Sequence, residues 1–270
     1  MTGGRRPRLL AAAATAGLLL LTSCAATVGG NAVSIYENPF TVAGLPVTSG
    51  PSGPRPGVPD STIAVENAEG TDSDILATDA IDDIQQFWAE QYPALFKGSF
   101  TPVSTLTSWD ASEDEGSGIR FCGDRTGGVP NAAYCTRDDS IGWDRTILLP
   151  ALVDAFGPMS VVMVIAHEYG HAIQHQSGLV GDDTPTIVAE QQADCFAGAF
   201  IRHVAEGDSP HFTINTSDGL NGVLAATVAV RDVDPNDPES VHGSAFERVT
   251  AVQIGFTDGA AACTRIDEAE

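Results

Sequence analysis

Apolar residues along this chain recur mostly at the spacing of an α-helix. Between residues 79 and 96 they fall on one helical face, and from Met159 to Ala166 they form a continuous run without Pro or Gly. Thr184 and Pro185 have the form of a helix start, and no further Pro follows before Gly207. Together with two shorter stretches, these patterns predict helices over residues 79–96, 159–177, 186–205, 221–230 and 243–254.

Two segments have the character of β-strands. Phe100 to Trp109 alternates branched and polar residues, and Pro102 favours a place at the edge of a sheet. Thr146 to Leu149 predicts a short strand before the helix that begins at Met159. Residues 232–239 are rich in turn-forming side chains. The expected fold class is therefore α+β, mainly helical, with a small sheet beside the helix of residues 159–177.

The N-terminal region has the form of an export signal. Arg5, Arg6 and Arg8 precede an apolar stretch from Leu9 to Leu21 that is too short to span a bilayer comfortably. Ser23 then leads into Cys24 in a pattern similar to a bacterial lipoprotein processing site. We expect residues 1–23 to be a signal peptide and Cys24 to be lipidated, which would hold the protein at the outer face of the cytoplasmic membrane. The alternative is ordinary cleavage nearby, with Cys24 lost or spare.

Residues 24–70 are rich in Gly, Pro, Ser and Thr and show no helical or strand period. This segment is expected to be a tether, and the sequence leaves open whether it also covers a functional cleft as a propeptide. Residues 71–270 are long enough for one domain with a sizeable core.

The segment His167-Glu168-Tyr169-Gly170-His171 constrains the chemistry most tightly. On a helix, His167 and His171 are one turn apart and lie on the same face, so their imidazoles can hold one metal ion. Glu168 lies beside them, where its carboxylate can accept a proton from a water that the metal activates. This pattern predicts a zinc site.

The next helix supplies a third ligand. Catalytic zinc usually takes three protein ligands, and Glu190 lies near the start of that helix with Asp194 one turn later. Their neighbours are mostly apolar, and buried carboxylates need partners. We therefore expect Glu190 to bind the metal and Asp194 to accept a hydrogen bond from a ligand imidazole. Because the chain is rich in acidic residues, the alternative is that Glu190 and Asp194 lie on an ordinary solvent-exposed helix face.

These segments resemble the neutral zinc metallopeptidases of bacteria, a zincin-like family with a glutamate as third ligand. The resemblance is carried by Ala166–His171 and Glu190–Gly198, with weaker similarity at Tyr134-Cys135 and at His242-Gly243-Ser244 with Arg248. Gln191 departs from the apolar residue expected there.

The resemblance implies a zincin fold and hydrolysis of peptide bonds. It also implies ligand roles for His167, His171 and Glu190, and a general-base role for Glu168. By analogy, Thr146–Leu149 would bind the substrate backbone by strand addition.

Four cysteines remain when Cys24 is set aside. An even number in an oxidising compartment favours disulfides, and we expect the pairs Cys122–Cys135 and Cys195–Cys263. Metal binding by these cysteines is the rival interpretation, but the chain has no Cys-x-x-Cys pair.

The remaining histidines and Tyr169 are weaker candidates for a role in catalysis. His242 and Tyr169 are the candidates to stabilise the oxyanion of the reaction, and His242 is preferred because it opens the segment that resembles the family. His175 is expected at the surface or behind the ligands, while His203 and His211 are expected to take no part.

Charge narrows the range of partners. The chain has 13 basic and 36 acidic residues, a formal net charge of −23, which argues against binding of nucleic acid. The expected partners are a peptide or protein substrate and the membrane that holds the lipid anchor. Two alternatives remain: an inactive, zinc-stabilised envelope lipoprotein that binds a partner, and a hydrolase of non-peptide amides such as cell-wall crosslinks.

Overall fold

The apolar run that precedes His167 forms the central helix of the structure. The computed structural model describes residues 40–181, 183–230 and 242–266, all within one unit that begins at Asn38. The signal peptide, Cys24, residues 24–39 of the tether and the turn-rich segment 232–239 lie outside the described residues.

Helices make up most of the regular structure, which confirms the expected class, α+β and mainly helical. They are α1 (Asp72–Leu95), α2 (Leu148–Phe156), α3 (Met159–Ser177), α4 (Thr186–Glu206), α5 (Asp218–Ala229), α6 (Ala245–Asp258) and α7 (Ala260–Cys263). Helix α3 packs against α1, α2, α4 and α5. None of the helices in the described ranges has both the length and the apolar character needed to cross a bilayer.

The strands are short and form small sheets. They are β1 (Thr41–Val42), β2 (Leu45–Pro46), β3 (Gly53–Pro54), β4 (Thr105–Trp109), β5 (Arg120–Phe121), β6 (Asp124–Arg125), β7 (Ala132–Cys135), β8 (Ser140–Asp144) and β9 (Phe212–Thr213). The largest sheet has the order β4-β8-β7, with β4 parallel and β7 antiparallel to β8. Strand β7 lies against α3, so a small sheet does stand beside the central helix.

The predicted helices are all present, with shifted ends. Helix α1 begins at Asp72 rather than Asp79, because the Thr71 hydroxyl accepts a hydrogen bond from the Asp74 N–H at 3.2 Å and caps about two additional turns. Helix α6 begins after Ser244, which forms a capping box with Glu247. Helices α3 and α4 end at Gly178 and Gly207, both in the left-handed conformation.

The strand predicted at Thr146–Leu149 is wrong, because this segment leads into α2. The buried carboxylate of Asp144 accepts hydrogen bonds from the N–H groups of Thr146, Ile147 and Leu148 at 2.6–2.9 Å. These bonds satisfy donors that a helix start leaves without partners. A short apolar run fits a strand or a buried helix equally well, and the distant cap at Asp144 decides between them.

Much of the segment predicted as a tether is bound to the domain. We name residues 40–58 the strap. Strand β3 in the strap pairs with β9, and the N–H groups of Thr48 and Thr216 donate to each other's hydroxyl oxygens at 2.8 and 3.0 Å. Farther along, Glu66 exchanges backbone hydrogen bonds with β4. A composition rich in Gly and Pro therefore does not keep this segment detached from the domain, since its backbone groups find partners distant in sequence.

The loop after α4 is fixed to α1 by the buried carboxylate of Asp83. This carboxylate accepts hydrogen bonds from the Ser209 hydroxyl, the His211 N–H at 2.9 Å and His211 Nδ1 at 2.5 Å. His211 Nε2 lies 3.9 Å from Asp79. Burial lowers the pKa of His211, but the carboxylates of Asp83 and Asp79 outweigh that effect and raise its pKa above the usual value.

This contact predicts a pH-dependent contribution to stability. Because the pKa of His211 is raised on folding, the stabilisation is fully present below about pH 6.5 and is lost as the pH rises through the raised value. In urea unfolding between pH 6 and 9, the stability difference between wild type and His211→Gln should therefore shrink with rising pH.

The matched control is His203→Gln, since the His203 ring lies against Phe87 and Phe200. This variant controls for the loss of an imidazole that packs against aromatic rings rather than against Asp83. A constant difference for His211→Gln over the same range would contradict the assignment.

Candidate metal centre

Helix α3 presents His167 and His171 one turn apart. Their ring centroids are 4.8 Å apart and the ring planes are nearly perpendicular, at 88°. His167 is buried and His171 is half-buried. The two Nε2 atoms are thus near each other, with one side of the pair open to solvent at His171.

Helix α4 brings Glu190 to the two histidines. Glu190 Oε2 lies 3.2 Å from His167 Nε2, and Oε1 lies 3.5 Å from His171 Nε2. The two helices approach closely because Gly170 has no side chain: a Cβ there would lie 2.9 Å from the Cα of Ala193. This close packing lies beneath the ligand candidates.

The arrangement fits a metal ion. One ligand atom from each of His167, His171 and Glu190 lies within 4.8 Å of the other two. Adjacent ligands around tetrahedral zinc are about 3.4 Å apart, which matches the two nitrogen–oxygen distances. Glu190 Oε2 is buried, and within the described part of the chain neither its 3.2 Å contact with His167 Nε2 nor any other contact has the geometry of a hydrogen bond. A buried carboxylate oxygen needs a partner, and a cation between the three side chains would supply it.

Asp194 lies directly behind His167. Its Oδ1 is 2.8 Å from His167 Nδ1, and it also binds Arg248 through two hydrogen bonds of 2.8 Å. Arg248 in turn donates from Nη1 to the carbonyl of Val230 at 2.8 Å. All three charged side chains are buried, so His167 is held in one ring orientation with Nε2 facing Glu190.

The electrostatics favour a positive charge at this centre. Burial opposes a charged His167, yet Asp194 and Glu190 outweigh it and raise the pKa of His167 to about 10. Burial raises the pKa of Glu190, but His167 and His171 outweigh it and lower that pKa well below its usual range. A cation held at His167 Nε2 would replace a proton there, and Glu190 and Asp194 would stabilise its charge as they stabilise that of the protonated ring.

Glu168 faces the sheet rather than α4. Its Oε2 accepts a hydrogen bond from the Tyr134 N–H in β7 at 2.9 Å. That N–H therefore points away from β8, along the outer edge of β7. The strand beside α3 is thus β7. Thr146–Leu149 is not a strand, so the predicted binding of a substrate backbone by strand addition to this segment is wrong.

The other candidate residues, His242, Tyr169 and His175, lie in different environments. His242 is half-buried before α6 and lies outside the three-residue cluster, so its role as oxyanion donor stays a prediction. Tyr169 is fully buried and accepts a hydrogen bond from the Val103 N–H at 3.3 Å, which directs it into the core. His175 is exposed, and its Nδ1 lies 2.9 Å from the Tyr134 hydroxyl.

Both predicted disulfides are confirmed. Cys122–Cys135 joins the β5–β6 turn to β7, and Cys195–Cys263 joins α4 to α7. Each bond includes a neighbour of a residue that contacts the centre, since Cys135 follows Tyr134 and Cys195 follows Asp194. These four cysteines are therefore not metal ligands.

The sequence does not reveal the roles of two side chains at the centre, one beside the ligand candidate His171 and one beside Asp194. Gln174 lies with its Oε1 2.9 Å from His171 Nδ1, and its spacing of three and seven residues from the histidines is the signal that could have identified it. Arg248 was noted for its place in a similar segment, but its ion pair with Asp194 joins distant parts of the sequence and leaves no local pattern.

Comparison with known proteins adds no functional assignment. No family model and no solved structure matches the chain. The chain is similar to uncharacterized proteins of Mycobacterium bovis and Mycobacterium tuberculosis, each 30% identical over 151 residues, which cover 47% of this chain and 51% of the relative. The chain thus spans about half the length of the curated relatives it matches.

The ion pair between Arg248 and Asp194 yields a stability prediction. Arg248→Met leaves a buried carboxylate without its cation, so we expect the free energy of unfolding to fall by about 3–5 kcal/mol. Adding Asp194→Asn should restore part of the loss, because a neutral amide is less costly to bury. Denaturant unfolding with a chelator present measures both effects without a contribution from bound metal.

Arg137→Met is the control, because the pair between Arg137 and Asp138 is largely exposed, and exposed pairs contribute little. Equal stability of Arg248→Met and Arg137→Met would show that the buried pair does not hold α6 to α4.

Proposed function

We propose that this chain is a zinc-dependent peptidase of the zincin type. The observation that carries the proposal is the convergence of His167, His171 and Glu190 around a buried, unpartnered carboxylate oxygen, with Glu168 adjacent to the first histidine. A purely structural zinc site normally fills all four positions with Cys or His and needs no neighbouring base. The resemblance of the two ligand-bearing segments to neutral zinc metallopeptidases supports the same assignment.

The donor set favours zinc over other common metals. Two imidazole nitrogens and one carboxylate oxygen suit zinc, whereas calcium and magnesium prefer oxygen ligands alone. When bound, zinc polarises the scissile carbonyl and makes a water nucleophilic near neutral pH.

Glu168 carries the proton transfers. The Tyr134 N–H holds Oε2 of this carboxylate, which leaves the other oxygen to accept a proton from the attacking water. Glu168 then delivers the proton to the leaving amine, as general acid–base catalysis requires. The alternation of β7 also directs the backbone groups of residue 132 away from β8, toward the edge at which an extended peptide would pair by strand addition.

The proposed location is the outer face of the cytoplasmic membrane, through a lipid on Cys24. The signal-like residues 1–23 support this location. The two disulfides also support it, because disulfides persist in oxidising compartments outside the cytoplasm.

The first prediction concerns metal content. The wild-type chain should bind one zinc ion, while His171→Ala and Glu190→Ala should lose most of it, because each removes a ligand. Elemental analysis after dialysis against trace zinc measures the stoichiometry. His175→Ala is the matched control, since His175 lies one turn beyond His171 on the exposed face of α3. Equal loss of zinc in the His175 and His171 variants would contradict the ligand assignment.

The second prediction separates catalysis from metal binding. Glu168→Gln should keep its zinc and lose activity by about 10²- to 10⁴-fold, the usual range for removal of a general acid–base group. Cleavage of a broad peptide library, followed by mass spectrometry, measures the change. If the zinc-loaded wild type cuts no peptide, the enzyme proposal fails and an inactive zinc-stabilised lipoprotein is favoured. Cleavage of cell-wall crosslinks alone would identify an amidase instead.

A further inference from the structure

Gln174 is a buried side chain on α3 that joins one metal-ligand candidate to the neighbouring helix. Only 1% of its surface is exposed. Its Oε1 lies 2.9 Å from His171 Nδ1, and its Nε2 lies 2.6 Å from the carbonyl of Ala189 and 3.2 Å from Gln192 Oε1. Ala189 and Gln192 flank Glu190 in α4, so one amide contacts both ligand-bearing helices.

The contacts of Gln174 fix which way its amide points. A backbone carbonyl can only accept a hydrogen bond, so the amide atom that faces Ala189 must be the nitrogen. Both amide hydrogens are then directed toward α4, one to Ala189 and one to Gln192. The oxygen therefore faces His171.

This orientation also fixes the tautomer of His171. An amide oxygen can only accept, so Nδ1 of His171 must carry the hydrogen that binds it. In a neutral imidazole the lone pair then lies on Nε2, the atom 3.5 Å from Glu190 Oε1. His171 is thus prepared to bind a cation before the cation arrives.

The two histidines are oriented by acceptors of different charge. His167 has the carboxylate of Asp194 behind it, whose charge is shared with Arg248, whereas His171 has the neutral amide of Gln174. A second carboxylate in place of Gln174 would face the Ala189 carbonyl oxygen with no hydrogen to donate. Glutamine satisfies His171 and Ala189 together, which a glutamate of similar size does not.

We propose that Gln174 is a positioning residue for the metal centre: it holds His171 in the Nδ1-protonated tautomer and, with Gln192, ties the ring to the helix that carries Glu190. This inference rests on the proposed function, since it assigns Gln174 a role at the same metal. Its effect acts through His171 and not through contact with substrate.

The experiment measures zinc affinity in the full-length chain by competition with a chromophoric chelator. Gln174→Leu fills similar space without the amide and should weaken zinc binding by about 10- to 100-fold, the range found when the outer partner of a ligand histidine is removed. Gln192→Leu should weaken it less, because Ala189 still holds the Gln174 nitrogen. Gln176→Ala is the matched control: it lies on the same helix but binds Thr101 in an exposed contact, so its affinity should equal that of wild type.

A second readout detects the hydrogen bond itself. In ¹⁵N-histidine-labelled, zinc-loaded wild type, the Nδ1 proton of His171 should give a downfield NMR signal that exchanges slowly with water. This signal should persist in Gln176→Ala and disappear in Gln174→Leu. Circular dichroism and thermal unfolding show whether each variant is folded, and if Gln174→Leu is not, the wild-type signal and Gln192→Leu decide.

The outcomes separate the two proposals. A wild-type chain that binds zinc, with folded Gln174 and Gln192 variants that bind it within twofold of wild type, overturns the role of Gln174 alone. A His171 ring with no proton on Nδ1 overturns it as well. A wild-type chain that takes up no zinc overturns the proposed function and this inference with it.

Discussion

The carboxylate of Asp194 is the interaction on which the rest of the centre depends. It lies between His167 on α3 and Arg248 on α6, so a single side chain of α4 joins three helices through charge. A buried carboxylate is costly unless it is paired and hydrogen-bonded. The three helices therefore have to meet in one arrangement to satisfy it, and that arrangement places Glu190 one turn away against both histidines.

Packing reinforces this electrostatic constraint. Gly170 allows α3 to contact α4 at Ala193, and Gly255 of α6 lies against the carbonyl of Cys195, where no Cβ would fit. These close approaches flank Asp194 on both sides. The disulfide from Cys195 to Cys263 then attaches the C-terminal helix to the same turn of α4. The candidate centre is thus located beside close approaches of α3 and α6 to α4.

The sequence predicts those features of the fold and the site that have a local pattern of residues. Helical spacing predicts the helices of residues 159–177 and 186–205. It also predicts the pairing of the two histidines on the first helix and of the carboxylates at positions 190 and 194 on the second. The start of α2 does not follow from helical spacing. The residues after its cap at Asp144 suit a strand equally well. The composition of the strap does not reveal its attachment for a related reason: Gly and Pro indicate flexibility, while the partners of the strap at β9 and Thr216 are distant in sequence. Gln174 lies at helical spacing from the histidines, but a glutamine at that spacing carries no specific signal of a metal site, because an amide is not a usual zinc ligand.

The contact that holds Glu168 comes from the backbone of β7 and not from a side chain. Every amino acid except proline supplies the same N–H at position 134. A substitution of Tyr134 by any residue other than proline therefore keeps the N–H that holds the Glu168 carboxylate, while it changes the contacts of the ring with Asp139 and His175. The backbone and the side chain of residue 134 therefore serve different contacts, one with Glu168 and the other with Asp139 and His175.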